Sequence, residues 1–347
     1  MVSDISRMLN PGVSVVVCCY NSAGVIAPTI QALSRQEIPA DYGYEVILID
    51  NNCTDNTVHL AKNTWAHSPY SLRIETEIEP GLIHARKKGI EGASYDVLLF
   101  VDDDNILDGD WVKKLLYLFQ TMPEVGIIGG YNEALIQGEK PRWFDRYQGI
   151  YACGPRDNLS TINPKKVFGA GIAFRTKVIK TVLLSTLPPF LVGRTRYALL
   201  RGDDTEIVLR SLLLGWSFYY DSSLKLQHFL PTGKVNWNYV CMARKGGGEA
   251  DIILRIYKEM LENREPLTFP EYVRLLKRKW KKYFKKNVKK AFLIWKEGSE
   301  SSSSFYRLLG MSIGSWKMRK RYTEIRRLII EYFKKTGSVK NRKATIS

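Results

Sequence analysis

Short apolar runs rich in β-branched residues alternate with helical patterns through the first half of the chain. These runs are VSVVVCC (13–19), EVILID (45–50), LRIETE (72–77), DVLLFVD (96–102) and VGIIGG (125–130). Near-continuous apolar strands of this kind are typical of a parallel sheet that is covered by helices on both faces. The chain is therefore predicted to be an α/β protein with a Rossmann-like, mostly parallel central sheet.

The middle of the chain changes character. Residues 166–175 and 216–228 are predicted to be strands, and a helix is predicted from about Asp204 to Leu214 between them. An earlier helix is predicted at 111–122, where apolar side chains recur on one face. The pattern thus indicates a transition from a parallel sheet to a mixed one.

The net charge of +17 comes from one part of the chain. Residues 1–264 carry 29 Lys and Arg against 29 Asp and Glu, whereas residues 265–347 carry 23 against 6. We therefore predict a neutral domain at 1–264 that bears a basic helical extension at 265–347. A polyanionic partner is expected to meet this extension first.

The cysteines and the search for signal or membrane-spanning segments indicate in which cellular compartment the protein is expected. The 5 cysteines contain no CxxC pair, which favours a reducing environment. We find no basic leader before a long apolar run, and no stretch approaches the roughly 18 uninterrupted apolar residues of a spanning helix. These features predict a cytoplasmic protein.

Polar side chains follow three of the predicted strands. The first strand ends at Tyr20, the second at Asp50 and the fourth at Asp102-Asp103-Asp104. Ligands of such sheets bind outside the carboxyl ends of the strands. Three consecutive carboxylates repel one another unless a cation compensates, and Mg²⁺ or Mn²⁺ with a diphosphate would do so. A simple Asp-rich turn is the alternative. Because CCYNSAG is not GxGxxG, dinucleotide binding is disfavoured.

An ordered set of motifs resembles the family 2 inverting GT-A glycosyltransferases that build bacterial surface glycans. The motifs are CCYN (18–21), IDNNCTDNT (49–57), EPGLIHARKKGI (79–90), FVDDDN (100–105), GAGIAFR (169–175), GDDTEI (202–207) and QHFLP (227–231). The resemblance covers about residues 12–250. It implies that 1–264 is a GT-A catalytic domain, with a nucleotide-binding half at about 12–130 and an acceptor half at 131–264.

The resemblance assigns a set of residues to the donor, namely Tyr20, Asp50, Asn52, Arg86, Asp102, Asp103 and Arg244. Tyr20 would line the base pocket, Asp50 would contact the nucleobase, and Asp102 or Asp103 would hold the ribose. Arg86 would lie near the donor; its alternative is a solvated helix face shared with Lys87 and Lys88. Arg244–Gly248 resembles a flexible segment that closes over the donor, in which Arg244 could meet phosphate.

The same resemblance assigns the metal and the catalytic base. Asp104, with Asp102 and His228, would hold Mn²⁺ or Mg²⁺, although a lone His is as often a hydrogen-bonded core residue. Asp204 would deprotonate the acceptor for an inverting displacement. Asp203 stands where the family usually has Glu, so either carboxylate could serve. The alternative for this pair is capping of the following helix.

The substrates and the location follow from the resemblance together with the basic extension. The donor would be a nucleoside-diphosphate sugar, by default a UDP-sugar, and the acceptor a glycan or lipid-linked glycan in cell-surface polysaccharide biosynthesis. No Gln-x-x-Arg-Trp pattern of processive synthases is found, so transfer of one sugar per encounter is expected.

The extension carries two basic stretches that contain apolar residues at helical spacing. Residues 274–290 contain 10 Lys and Arg, and residues 305–321 repeat the arrangement. With their apolar sides inward on an anionic leaflet, residues 274–321 would make the protein peripheral at the inner face of the cell membrane. The alternatives are packing on the catalytic domain, a basic nucleic-acid-binding protein, or a non-catalytic donor-binding protein. No nucleic-acid module accompanies the extension, so nucleic acid is not the expected partner.

Overall fold

The computed structural model describes residues 9–156, 160–163, 167–193, 201–287 and 296–336. The chain forms two compact units. Unit 1 comprises Met1–Gln137, Tyr151–Ser185 and Trp216–Leu230, and unit 2 comprises Gly138–Ile150, Thr186–Gly215 and Pro231–Ser347. The two units do not divide at residue 264, because helices from both sides of that position belong to unit 2.

Within the described residues, unit 1 is built on one nine-stranded sheet. Its strands are β1 (Asn10–Cys19), β2 (Gly43–Asp50), β3 (Ser71–Thr76), β4 (Tyr95–Asp102), β5 (Asn105–Leu107), β6 (Val125–Ile136), β7 (Ser160–Ile162), β8 (Ile172–Arg175) and β9 (Ser217–Leu230). The order is β3-β2-β1-β4-β8-β6-β9-β5, and β7 pairs with β9. Strands β3, β2, β1 and β4 are parallel, whereas β8 is antiparallel to both of its neighbours.

Helices cover this sheet as the apolar strands predict. They are α1 (Ile26–Ser34), α2 (Thr57–Trp65), α3 (Leu82–Gly92), α4 (Trp111–Thr121) and α6 (Thr176–Leu183). Val15, Leu48 and Leu99 are fully buried, and α4 adds Trp111 and Leu115 to the same core. Burial on both faces explains why these strands are continuous apolar runs and do not alternate.

The predicted strands are confirmed with differences at their ends. The strand predicted at 166–175 is only β8 in the described part, because Gly171 adopts a φ of +61°, which interrupts the extended backbone. Lys166 lies outside the described residues. The three-residue strand β5, which pairs with β9, was not predicted.

Unit 2 is helical. It contains α5 (Phe144–Tyr147), followed by the 3₁₀ turn Gln148–Tyr151, and then α7 (Asp203–Leu213), α8 (Trp237–Leu261), α9 (Phe269–Asn287), α10 (Glu300–Met318) and α11 (Tyr322–Lys335). Helices α7 to α11 share one apolar core, in which Ile256, Tyr257, Tyr272, Tyr322 and Phe333 are fully buried. Among the described residues, no helix combines the length and apolarity needed to cross a membrane.

Helices α8 and α10 approach each other closely at glycine residues. A Cβ added at Gly248 would collide with the carbonyl oxygen of Arg307, and one added at Gly310 would collide with that of Lys245. The expectation that 244–248 is a flexible segment is therefore wrong. These residues lie inside the 25-residue helix α8, where the missing side chain permits close backbone contact.

Two neighbouring glycines of α8 allow a matched test of this packing. We expect Gly248→Ala to lower the free energy of unfolding by about 3 kcal/mol, because its methyl group must displace backbone atoms of α10. Gly247→Ala places its methyl group in open space, and we expect it to raise stability by about 0.5–1 kcal/mol through helix propensity. Chemical denaturation of both variants measures the difference. If both substitutions changed the free energy of unfolding equally, the close contact of α8 with α10 at Gly248 would be contradicted.

The apolar side of α9 is covered by protein. Tyr272, Leu276 and Tyr283 are buried in the helical core, and Trp280 donates from Nε1 to Ser312 Oγ of α10 at 3.0 Å. The expectation that this side enters a lipid leaflet is therefore wrong for these four residues, whereas Phe284 of the same stripe is exposed. An apolar stripe must be buried somewhere, and the neighbouring helices of unit 2 supply the cover. Residues 288–290 of the predicted basic stretch lie outside the described residues.

Candidate active site

Two acidic side chains lie at the carboxyl end of the parallel strands of unit 1. The strand register pairs Cys19 of β1 with Asp50 of β2, and Cys18 of β1 with Asp102 of β4. Because neighbouring strands lie about 4.8 Å apart, Asp50 and Asp102 stand on either side of β1 at a separation of roughly 10 Å. The fold therefore brings these two predicted site residues to one edge of the sheet.

Of the two residues assigned to the nucleobase, Tyr20 lies directly after β1 and Asp50 is the last residue of β2. Tyr20 is 53% exposed, which leaves its ring accessible to a planar ligand. Asp50 Oδ1 accepts a hydrogen bond from the Cys53 backbone N–H at 2.8 Å, so this carboxylate also closes the turn after β2. Their contact with a base stays a prediction.

Amide side chains hold the loop that precedes α3. Asn51 is buried, donates from Nδ2 to the carbonyl oxygens of Glu77 and Glu79 at 2.9 and 2.8 Å, and accepts from the Gly81 N–H at 2.8 Å. Asn52, which was assigned to the donor, donates to the Glu77 carbonyl oxygen at 3.2 Å. The sequence reasoning missed Asn51, although the polar run at 50–52 contains it. Its bonds place the start of α3, the helix that carries Arg86.

The acidic turn after β4 is held by neutral side chains that the sequence reasoning also missed. Asn105 is fully buried, accepts from the Asp102 N–H at 3.2 Å and donates from Nδ2 to Asp104 Oδ1 at 3.1 Å. Ser22 donates from Oγ to Asp103 Oδ2. Each bond orients a carboxylate or the backbone beside it, so the three aspartates are fixed before any ligand arrives.

The pairing of β5 with β9 sets His228 beside Asp104. Asn105 and His228 are partners in the antiparallel register, and the Phe229 N–H donates to the Asp104 carbonyl oxygen at 2.8 Å. His228 Nε2 lies 3.3 Å from Asp104 Oδ2, and His228 is only 4% exposed. Among the described residues its buried Nδ1 has no hydrogen-bond partner. Two of the three predicted metal ligands are thus adjacent.

Asp104 and His228 are suited to a metal ion that is coordinated partly by the protein and partly by a substrate. Within the described ranges, no three His, Cys, Asp or Glu side chains are grouped so that they could hold an ion by themselves. A carboxylate and an imidazole suit Mn²⁺, and ions at nucleotide sites complete their coordination with phosphate oxygens and water. Asp104 and His228 would therefore supply only part of the coordination of such an ion, and phosphate oxygens or water would complete it.

Arg86 is buried close to the acidic strand ends. It is 3% exposed, and its guanidinium lies 5.3 Å from the centre of the Phe100 ring of β4. The pKa of the neighbouring Cys18 thiol is raised to about 12 by burial; Arg86 acts against this rise, whereas Asp102 and Asp103 reinforce it. The alternative of a solvated helix face is therefore wrong for Arg86. A cation held near carboxylates is suited to an anionic donor.

In unit 2, the two carboxylates assigned to the base open helix α7. Gly202, with a φ of +105°, precedes the helix, and Asp203 and Asp204 lie in its first turn. Asp203 is 8% exposed, and a Cβ at Gly193 would stand 2.7 Å from its Oδ2. Asp204 is half-buried. Asp203 is thus confined by the backbone of its own unit, whereas Asp204 has more access to solvent.

Glu206 is a buried carboxylate of α7 that the sequence reasoning missed. Its oxygens accept hydrogen bonds from the N–H groups of Phe190 and Leu191 at 3.1 and 2.8 Å and from the Tyr257 hydroxyl at 2.9 Å. Burial raises its pKa, while Arg210 and these donors act in the opposite direction. Glu206 therefore fastens the segment before α7 to the helix that carries Asp203 and Asp204.

Arg244 contacts α10 within unit 2. Its Nε donates to Ser303 Oγ at 2.7 Å, and burial lowers its pKa. A phosphate contact by Arg244 stays a prediction.

Comparison with known families decides what kind of protein this is. The model of the family described as glycosyl transferase family 2 matches residues 14–183. Residues 14–183 belong to glycosyl transferase family 2. The matched part contains Tyr20, Asp50, Arg86 and Asp104, whereas the proposed base at 203–204 lies beyond it.

Curated relatives agree with this family membership. Poly-beta-1,6-N-acetyl-D-glucosamine synthase of Staphylococcus epidermidis is 25% identical over 175 residues, which cover 49% of this chain and 41% of that protein. Glycosyltransferase AglE of Haloferax volcanii is 33% identical over 213 residues, which cover 60% of this chain and 64% of that protein. The similarity thus spans about two fifths of the first relative and under two thirds of the second.

A solved structure supports the GT-A fold. Mannosyltransferase PcManGT from Pyrobaculum calidifontis, in complex with GDP-Man and Mn²⁺, aligns with a TM-score of 0.56 at 17% identity. The alignment covers 89% of this chain and 88% of that one. The predicted GT-A fold of a family 2 protein, with a helical C-terminal region, is confirmed.

Proposed function

We propose that this protein transfers one sugar from a nucleoside-diphosphate sugar to a hydroxyl group of a glycan or lipid-linked glycan, with inversion at the anomeric carbon. The observation that carries the proposal is the adjacency of Asp104 and His228, at 3.3 Å, in a family 2 fold. A paired carboxylate and imidazole at the edge of a sheet are suited to an ion that binds a diphosphate.

The donor would bind across the carboxyl ends of β1, β2 and β4 in unit 1. Tyr20 would stack on the base and Asp50 would accept from it, while Asp102 or Asp103 would accept from the ribose hydroxyls. Arg86 would balance the charge of the diphosphate. UDP is the default nucleotide for the family, and the fold neighbour with GDP-Man shows that the fold also accommodates guanosine nucleotides.

Asp104, His228 and Asp102 would hold the divalent cation, Mn²⁺ or Mg²⁺. When bound, such an ion neutralises charge on the departing nucleoside diphosphate. The protein's own contribution is to fix the ligands: Asn105 orients Asp104, and the register of β5 with β9 keeps His228 beside it. The mannosyltransferase of the same fold is named as a complex with Mn²⁺, which supports a divalent cation in general.

Asp204 would accept the proton of the attacking acceptor hydroxyl. Its partial exposure leaves it open to an acceptor, whereas Asp203 is buried against Gly193.

The acceptor and the location follow from the relatives and the charge of the chain. One relative is named poly-beta-1,6-N-acetyl-D-glucosamine synthase, which favours a glycan acceptor. With its cationic extension, this protein would work on such an acceptor at the inner face of the cell membrane, bound to anionic lipid.

Isothermal titration with a panel of nucleoside diphosphates, with and without Mn²⁺, tests the donor site. We expect one nucleotide to bind in a metal-dependent manner. Asp50→Asn is expected to weaken that binding about tenfold, as for loss of a charged hydrogen bond, and the exposed control Asp41→Asn is expected to leave it unchanged. Sugar transfer from the matching donor is then measured by release of that nucleotide in the presence of glycan acceptors. A folded protein that binds no member of the panel would overturn the proposal.

A further inference from the structure

The outward side of α9 carries a row of positive charge. Lys277, Arg278, Lys281, Lys282 and Lys285 recur at intervals of three and four residues, so they share one side of the helix, and all five are exposed. We call these five residues the cationic face. It lies opposite the buried stripe of Tyr272, Leu276 and Tyr283 in the helical period.

The positive charges of the cationic face repel one another. Lys277, Lys281 and Lys285 are spaced at i and i+4, as are Arg278 and Lys282, and each such pair of like charges destabilises a helix. Across the described part of the chain, no carboxylate forms an ion pair with any of the five. The repulsion is therefore balanced by the apolar packing of the other side, and an external anionic surface would relieve it.

An aromatic side chain borders this face. Phe284 is 58% exposed, and its ring stacks on Trp280 at a centroid distance of 5.3 Å and an interplanar angle of 20°. Because Trp280 is anchored to α10 through Ser312, Phe284 is held in place at the edge of the charges. Aromatic rings bordering basic side chains are favourable at the headgroup level of a lipid bilayer.

We propose that the cationic face of α9 docks on an anionic phospholipid surface by electrostatic attraction, while the apolar stripe of the helix stays buried in the protein. This refines the membrane contact in the proposed function and is independent of the chemistry at the donor site. It differs from insertion of an amphipathic helix, because the apolar side is already covered by α8, α10 and α11. Lipid headgroups are favoured over nucleic acid because the exposed Phe284 ring, already stacked on Trp280, borders the charges as aromatic rings do at the headgroup level.

Vesicle co-sedimentation tests this mode of binding. The full-length protein is mixed with vesicles of phosphatidylcholine alone or with about one third phosphatidylglycerol, at about 0.1 M and 0.5 M NaCl. We expect binding only to the anionic vesicles and release at the higher salt, because surface charges are screened beyond about 4 Å at that ionic strength. Salt-resistant binding, or equal binding to neutral vesicles, would overturn electrostatic docking in favour of apolar insertion.

A charge-matched pair of variants locates the contact. Lys277→Gln/Lys281→Gln/Lys285→Gln is expected to weaken binding about 100-fold, at roughly fivefold per basic residue. The control Lys62→Gln/Lys334→Gln/Lys335→Gln removes the same charge from other exposed lysines, and we expect an effect below about fivefold. If the two variants lose vesicle binding equally, the net charge of the protein and not the cationic face determines binding, and the proposal is overturned.

Two further measurements distinguish lipid binding by the cationic face from nucleic-acid binding and from nucleotide binding at the donor site. A structured RNA added as competitor should not displace the protein from anionic vesicles at equal phosphate concentration; complete displacement would assign the cationic face to nucleic acid and overturn the proposal. Nucleotide binding, measured on the same variants, should be unchanged if they are folded. If the donor assignment fails, the vesicle experiment still tests the cationic face. If vesicle binding fails, the nucleotide titration still tests the donor site.

Discussion

Asp104→Asn is expected to abolish metal-dependent nucleotide binding and to lower kcat/KM at least 100-fold, since loss of a metal ligand removes several kcal/mol of charge stabilisation. Asparagine keeps the size of the side chain, and its single amide oxygen can still accept from Asn105, but it lacks the charge that a divalent ion requires. The fold should therefore survive while the ion is lost. Titration with nucleotide at several Mn²⁺ concentrations measures the effect.

The exposed Asp108, which follows β5, offers a matched control for this variant. Asp108→Asn makes the same chemical change four residues away, and we expect unaltered metal and nucleotide binding. His228→Ala should reduce metal affinity about 10- to 100-fold if the imidazole is a ligand or a close support. If Asp104→Asn binds metal and nucleotide as the parent protein does, the ion is held elsewhere and this assignment fails.

Asp204→Asn is expected to lower kcat by about 100- to 10,000-fold, the usual contribution of a general base, with little change in nucleotide binding. The loss should appear in the transfer step, because a base acts on the acceptor and not on the ground-state donor complex. Single-turnover transfer from the donor found by titration is the measurement. Separate donor titration shows whether the site in unit 1 remains intact.

Asp203→Asn is the internal comparison for the base. Asp203 is buried against the backbone of Gly193, so we expect its replacement to act mainly on stability, with an effect on kcat below about tenfold. The opposite ranking would assign the base to Asp203. If neither variant slows transfer, the proposal that α7 supplies the base is refuted.

Much of the sheet was predictable because its signals are local. Continuous apolar runs predicted β1 to β4 within three residues at each end, and polar residues at the ends of β1, β2 and β4 indicated a candidate ligand-binding edge. Asp50 and Asp102 could be placed together from the sequence, since the carboxyl ends of parallel strands meet at one edge. The resemblance to the family added roles that spacing alone did not indicate.

Contacts between distant residues were not predictable in the same way. Asn105 and His228 are 123 positions apart, and only the pairing of a three-residue strand with β9 brings them together. Glu206 was visible within GDDTEI, but nothing local indicates that its partners are Phe190, Leu191 and Tyr257. Such bonds depend on how segments meet after folding.

The sequence by itself determined the α/β class, the family, the acidic strand ends and the segregation of positive charge into residues 265–347. The tertiary structure decided which apolar surfaces meet. A helical stripe such as that of α9 has the same period whether lipid or protein covers it, so only the packing of unit 2 shows that protein does. The glycines of α8 follow the same logic: a missing side chain permits either motion or close contact, and the neighbouring helix determines which.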